Sequence, residues 1–369
     1  MTELGYALAV AYGSVMDKPD LIAAVIVGDG EAETGPTATA WHAHKYIDPS
    51  ESGAVLPILH LNRFKISEST IFGTMDRKEL LALYTGYGYQ VRFVDYVDHV
   101  KGHTLPGDES VKPLDELMAA TVQWAIDEID KIQTAARSGK AMIKPRWPMI
   151  IMATPKGWGC PPELDGKMIE GSFRSHQVPV GSLQDNKEHF KILNDWLLSY
   201  DPRKWFQVDD KEHLTINPIV TRILPKDQKN TMGQLRELYD KTPTLDLAYW
   251  GDFGSTNGKM VSSMQVSGKL LADAITRNPR GFRIFSPDEL ESNKLDAVFE
   301  VKGIGHRNLQ TDPTSMITEP NKGGRIIEML SEHTLQGFAQ GYCLTGRTCL
   351  FPSYESFIGV SLNQSIDRI

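Results

Sequence analysis

An α/β fold with two doubly wound parallel layers is predicted by three observations. The apolar runs at 21–27 and 55–61 lack polar alternation, as strands buried on both faces of a parallel sheet do. Strand-length runs alternate with amphipathic stretches of helix length. The alternation stops after Ala153, crosses a Gly- and Pro-rich segment, and resumes near Leu247.

The elements follow in order. Residues 4–12 read as a helix and 21–27 as the first buried strand. Residues 34–46 read as a helix with Pro36 in its first turn, where a missing N–H costs nothing. A strand at 55–61 comes next, then a helix at 77–87 capped by Asp76, a strand at 90–94, a long helix at 113–136 and a strand at 149–153. Residues 155–181 have no period; loops this long are usually functional or linking. A helix at 186–200 and a polar connection to 244 follow. The second layer is expected to hold a strand at 247–250, a helix at 260–277, a strand at 282–285, a helix at 324–342 and an amphipathic stretch at 353–362. The division predicted is 1–154, a connector 155–244, and 245–369.

Composition narrows the function. The chain has 369 residues, 41% hydrophobic and 23% charged, values that suit a globular protein with real cores. A net charge of −8 without a Lys/Arg block argues against nucleic-acid partners. The longest apolar run is far too short to cross a bilayer, and no basic-then-apolar leader precedes it, so no membrane partner is expected. Cys160, Cys343 and Cys349 lack zinc-site spacing and read as reduced thiols of a cytoplasmic protein. His42, His44, His99, His103, His189, His213 and His306 receive no role.

The chemistry concentrates at Gly28-Asp29-Gly30-Glu31, a turn between a buried strand and a helix, where parallel sheets place ligands. Pro36-Thr37 replaces the Lys-Ser/Thr of a Walker loop, and Glu33 stands where a dinucleotide fingerprint needs its third glycine. A bare Gly-Asp-Gly is most often only a turn. Asn62, ending the next strand, is the second piece: neighbouring parallel strands end on one side, so Asp29 and Asn62 can converge on one hard cation, with a backbone carbonyl near Phe64. Magnesium wants six oxygens and is rarely caged by protein alone; a diphosphate and a water would complete the set.

The wording around these residues is more specific. Gly28-Asp29-Gly30-Glu31-Ala32-Glu33-Thr34-Gly35-Pro36 and Pro57-Ile58-Leu59-His60-Leu61-Asn62 closely resemble the phosphoketolases, as does Glu3-Leu4-Gly5-Tyr6-Ala7-Leu8 upstream. So do Gly171-Ser172-Phe173-Arg174-Ser175-His176, Ser286-Pro287-Asp288-Glu289, Ser331-Glu332-His333, Leu344-Thr345-Gly346-Arg347 and Ser353-Tyr354-Glu355-Ser356-Phe357. The resemblance covers nearly the whole chain in family order. It implies a thiamine diphosphate- and magnesium-dependent lyase that cleaves xylulose 5-phosphate or fructose 6-phosphate with inorganic phosphate. It also implies two thiamine-diphosphate-binding layers, both incomplete, in a homodimer with the active site at the interface.

Residue by residue, the resemblance makes Asp29, Asn62 and the Phe64 carbonyl magnesium ligands, with Gly28, Gly30 and Glu31 lining the diphosphate. Glu332 matches the glutamate that hydrogen-bonds N1′ of the aminopyrimidine; Lys156 and His176 match donors to substrate oxygens. Ser292, Lys294 and Tyr354 match positions that contact the substrate or its phosphate. Three stretches depart from the family. Asn62-Arg63-Phe64 stands for Asn-Gly-Tyr, Ser292-Asn293-Lys294 for Ser-Asn-Arg, and Thr345-Gly346-Arg347-Thr348-Cys349 for Thr-Gly-Arg-His-Gly. The chain reads as an internal portion of a longer enzyme, expected to make no acetyl phosphate alone. Two alternatives stay open: a transketolase-type enzyme, and a non-catalytic copy that only associates with a complete subunit.

Overall fold

The computed structural model describes residues 4–97, 105–209, 213–222, 244–305, 309–311, 318–320 and 323–361. His99, His103 and His306 lie outside them. Helix α1 (Ala7–Val15) leads into strand β1 (Ile22–Gly28), the one-turn helix α2 (Asp29–Ala32) and helix α3 (Gly35–Ala40). Strand β2 (Ala54–Leu61), helix α4 (Arg77–Tyr87), strand β3 (Tyr89–Asp95), helix α5 (Lys112–Arg137) and strand β4 (Trp147–Ala153) complete the first layer. Its sheet runs β1-β2-β4-β3, all parallel. The register sets Gly28 beside His60 and Leu61 beside Ala153. Asp29, Asn62 and the segment that carries Lys156 therefore leave the sheet at one edge.

Local signals explain several boundaries. Asp76 Oδ1 accepts from the N–H groups of Lys78 and Glu79, the cap expected there, and Glu79 Oε2 accepts from the Asp76 N–H to complete a capping box. Gly88, at φ 109°, ends the same helix in the left-handed conformation. The expected helix at 34–46 is instead α3 followed by a 3₁₀ turn, Ala43–Tyr46. The break lets Trp41 bury edge-on against Tyr84 and Tyr89, and its carbonyl accepts from the Tyr89 hydroxyl at 2.9 Å.

After helix α6 (Lys187–Ser199), the second layer consists of helix α7 (Ser263–Arg277), strands β5 (Phe282–Ser286) and β6 (Ile326–Glu328), helix α8 (Glu332–Leu344) and strand β7 (Thr348–Leu350). Here β5 lies between β6 and β7, parallel to both. Two expectations fail. Residues 247–250 form no strand: the backbone groups of Asp246 bond to the Asn278 side chain, and Leu247, Tyr249 and Trp250 are exposed. The helix expected at 324–342 is split, because Ile326 and Ile327 pair with β5 and Ser331 caps a new start at Glu332. The stretch at 353–362 holds only a short helix, Glu355–Ile358, and a 3₁₀ turn, Gly359–Ser361.

The layers join through α1 and α8. A Cβ on Gly13 would lie 2.1 Å from the Phe338 carbonyl oxygen, and one on Gly341 2.0 Å from that of Val10. Backbone meets backbone, and only glycine allows it. Leu8, Tyr12 and Val15 share one core with Phe285, Phe338 and Tyr342. Beside it lies a buried ion cluster. Arg283 reaches both Asp17 oxygens at 2.6 and 3.0 Å and Glu51 at 2.8 Å; Arg325 reaches Asp17 at 2.9 Å and Glu51 at 2.5 Å. The Tyr342 hydroxyl donates to Asp17 at 2.6 Å.

Candidate functional site

Asp29 follows β1 directly and is 1% exposed. Its Oδ1 accepts from the Gly30 N–H at 3.0 Å, and its Oδ2 from the Arg63 N–H at 2.6 Å and the Thr70 hydroxyl at 3.1 Å. Burial pushes its carboxyl above the ordinary value, against these hydrogen bonds and the charge of His60. Arg63 holds φ 73°, the left-handed conformation that turns its N–H onto Asp29. The family's glycine at this position would adopt it freely.

Asn62 is half-buried, and its Oδ1 accepts from the Phe64 N–H at 3.2 Å. The Phe64 carbonyl accepts from Lys156 Nζ at 3.1 Å. The three expected metal ligands and Lys156 thus stand at one sheet edge, joined by hydrogen bonds around Arg63 and Phe64. Every donor is an oxygen, from a carboxylate, an amide and a carbonyl, the chemistry magnesium takes. A Cβ on Gly28 meets nothing within 4 Å, and one on Gly30 meets only Thr70 Cγ2 at 3.9 Å, so the turn borders open space. Gly28 itself is extended, at φ −65°, and is not there for a left-handed turn. These residues fit a magnesium-bound diphosphate. No group of three or more His, Cys, Asp or Glu able to hold a metal occurs among the described residues.

Glu31, expected along the diphosphate, accepts at its Oε1 from the N–H groups of Gly5 and Ala7 at 3.2 and 3.3 Å, at the start of α1. A carboxylate there satisfies orphan donors and suits the helix dipole. His176 sits in the same connector as Lys156. The two arms are close: the Gly171 N–H donates to the Lys156 carbonyl at 2.7 Å, and a Cβ on Gly157 would strike Ser175. His176 is half-buried, and its own N–H donates to the Phe173 carbonyl at 3.0 Å.

Glu332 is the first residue of α8, half-buried. The start of α8 is tied to α3: Thr39 Oγ1 lies 2.7 Å from both Ser331 Oγ and Thr334 Oγ1. His333 Nδ1 lies 3.0 Å from the Tyr6 hydroxyl. The remaining set gathers around Glu289, 4% exposed, after β5. Its carbonyl accepts from Ser292 Oγ at 3.3 Å and Asn293 Nδ2 at 2.8 Å; its carboxylate accepts from the Tyr354 N–H at 2.6 Å. Lys294 is exposed, at φ 60°. Glu289 binds Ser292 and Tyr354 into one unit, although sequence reasoning gave it no role. Its signal was a carboxylate inside a family motif. Thr70, on Asp29, carried no such signal.

The fold is similar to a transketolase from Leishmania mexicana (TM-score 0.56, 15% identity, 98% of this chain and 49% of that one). It is also similar to a transketolase mutant from Pichia stipitis (TM-score 0.54, 15% identity, 97% of this chain and 48% of that one). At such identity the likeness shows the fold alone, a transketolase-like α/β architecture of parallel sheets. Sequence goes further. Residues 1–241 match the XFP N-terminal domain, and residues 265–366 match D-xylulose 5-phosphate/D-fructose 6-phosphate phosphoketolase. A probable phosphoketolase of Schizosaccharomyces pombe is 46% identical over 99% of this chain, and one of Synechococcus elongatus 40% identical over 97%. The chain belongs to the phosphoketolase family. It spans 41% and 44% of the length of those two relatives.

Proposed function

We propose that the chain serves phosphorolytic cleavage of xylulose 5-phosphate, fructose 6-phosphate or both. The products are acetyl phosphate and an aldose phosphate, glyceraldehyde 3-phosphate or erythrose 4-phosphate. The observation that carries this reading is the shared sheet edge, where the buried Asp29 carboxylate meets Asn62, the Phe64 carbonyl and Lys156. Asp29, Asn62 and the Phe64 carbonyl would hold Mg2+, and Gly28 and Gly30 would leave room for the diphosphate. Thiamine diphosphate, when bound, supplies the nucleophilic carbon that opens the ketose.

The chain's own residues bind, orient and move protons. Glu332 would hydrogen-bond N1′ of the aminopyrimidine through its carboxyl group and hold the proton there. Lys156 and His176 donate to substrate oxygens from the two arms of the connector. Ser292, Lys294 and Tyr354 take the sugar phosphate on the loop organised by Glu289. The division proposed is a diphosphate-binding part, 1–154, a connector with active-site residues, 155–244, and a pyrimidine-binding part, 245–369. The assembly proposed is a cytoplasmic homodimer with the site at its interface; no described helix is long and apolar enough to cross a membrane.

A hydroxamate assay for acetyl phosphate tests this, with ketose phosphate, inorganic phosphate, Mg2+ and thiamine diphosphate. It is run on this chain and on the chain co-expressed with the flanking segments of a full-length relative. Phosphate-dependent product that disappears in Asp29→Ala supports the reading. Two-carbon transfer to an aldose, independent of phosphate, would instead mark a transketolase-type enzyme. Silence in both arms with cofactor bound would mark a non-catalytic copy.

A further inference from the structure

The turn after α8 carries a feature the proposed reaction does not use. Cys343, on the last turn of α8, is exposed, and its sulfur lies 3.5 Å from that of Cys349 in β7. Cys349 is half-buried, with the Ala339 carbonyl 4.0 Å away. Only Leu344-Thr345-Gly346-Arg347-Thr348 separates the two, and Gly346 turns the chain back at φ 82°. The thiols are thus held face to face by a helix end and a paired strand, not by chance contact of mobile side chains. A disulfide needs about 2.05 Å between sulfurs, so closure asks for a side-chain rotation and a small backbone adjustment.

The geometry points to a reversible disulfide between Cys343 and Cys349, with Cys343 as the thiol that meets a hydroperoxide and Cys349 as the one that resolves it. The Cys343 thiolate attacks the peroxide oxygen: an S–O bond forms, the O–O bond breaks, and the leaving hydroxide takes a proton to become water. Cys349 then attacks that sulfur, the S–S bond forms, the S–OH bond breaks and a second water leaves. Two thiols are oxidised by two electrons, and one peroxide is reduced. A dithiol reverses the bond by exchange.

The surroundings favour this division of labour. A hydrogen bond from Cys349 lowers the Cys343 thiol, with the Arg347 guanidinium in support, whereas the bond to Cys343 and burial push Cys349 up. The pair is also well placed to matter. Cys349 stands opposite Arg283 in the β5–β7 register, and Tyr342, beside Cys343, donates to Asp17. Arg347, inside the loop to be closed, donates to the Ser14 carbonyl of α1 at 2.9 Å. The bond would tie together the part of the second layer that grips the first.

Peptide mapping after brief exposure to hydrogen peroxide, quenching and alkylation in denaturant tests the proposal on the folded chain. Trypsin cuts after Arg347, between the two cysteines, so a disulfide joins peptides 326–347 and 348–368 that are otherwise separate. The expected result is loss of alkylation at Cys343 and Cys349 together, a joined peptide lighter by two hydrogens, and full reversal by dithiothreitol. Cys160, buried and with its thiol pushed up to about 11 by burial, stays alkylatable as the internal control. In Cys349→Ser, a sulfenic acid trapped by dimedone should accumulate on Cys343. Should that variant not fold, the mapping of the parent decides alone. Both thiols remaining alkylatable while peroxide is consumed, or Cys343 pairing between two chains, would overturn it.

Discussion

Asp29 is a carboxylate sealed from water and faced mostly by hydrogen-bond donors, one of them the N–H of a residue in left-handed backbone. Burial makes that charge costly, and the donors of Gly30, Arg63 and Thr70 offset part of the cost. Arg63 adds a cost of its own, since a left-handed non-glycine residue is disfavoured by roughly 1–2 kcal/mol. Arg63→Gly should therefore raise stability by about 1 kcal/mol, read as a higher midpoint in urea, while leaving the Asp29 bond in place. An unchanged or lowered midpoint would mean that the Arg63 side chain contributes more than its backbone costs. Glu31 has a structural role that its sequence reading did not give. It caps α1, so Glu31→Gln should lower stability by about 0.5–1 kcal/mol through the lost charge at the helix start.

Elements were legible where the signal was local. The cap at Asp76 and the buried strand at 55–61 could be read because neighbouring residues alone decide them, whereas the run at 21–27 is a strand at the sheet edge with Ile22 and Ile26 exposed, not one buried on both faces. The strand expected at 247–250 depended on a partner, and the backbone just before it, at Asp246, bonds to the Asn278 side chain rather than to a strand. The helix expected at 324–342 failed because Ile326 and Ile327 suit a parallel neighbour better than a helix start. The crossing of α1 and α8 was invisible in the sequence, since glycines at 13, 337 and 341 acquire meaning only when two distant helices meet. Gly341→Ala should force the helices apart and lower the urea midpoint by the equivalent of about 1–3 kcal/mol. The same substitution at Gly28, where a Cβ meets nothing, should cost far less. Equal losses at both would contradict the close crossing.

At the scale of the whole molecule, the ion cluster is the feature sequence reasoning could not reach. Asp17 and Arg283 lie in different layers, and no motif links them. The site shows the same limit: strand order made it readable that Asp29 and Asn62 leave the sheet on one side, whereas the contact of Glu289 with distant Tyr354 was not readable. Burial alone would raise the Asp17 carboxyl, but Arg283 and Arg325, with the Tyr342 hydroxyl, hold it well below the ordinary value. A depressed carboxyl stabilises the fold fully above its unfolded pKa of about 3.9, and the contribution is lost as pH falls toward the folded value. Stability should thus drop below about pH 4, and Asp17→Asn should flatten that acid limb. At neutral pH the variant should lose about 3–5 kcal/mol, because two buried guanidinium groups lose a charge partner. Denaturation midpoints across pH check both.

The central claim is that the turn after β1 holds a diphosphate through a magnesium ion on Asp29. Calorimetric titration of thiamine diphosphate into the parent chain and Asp29→Ala, each with and without Mg2+, tests it most directly. Binding by the parent only when Mg2+ is present, weakened in Asp29→Glu and lost in Asp29→Ala, is the predicted result. Equal affinity in the parent and Asp29→Ala, or binding indifferent to Mg2+, would contradict it.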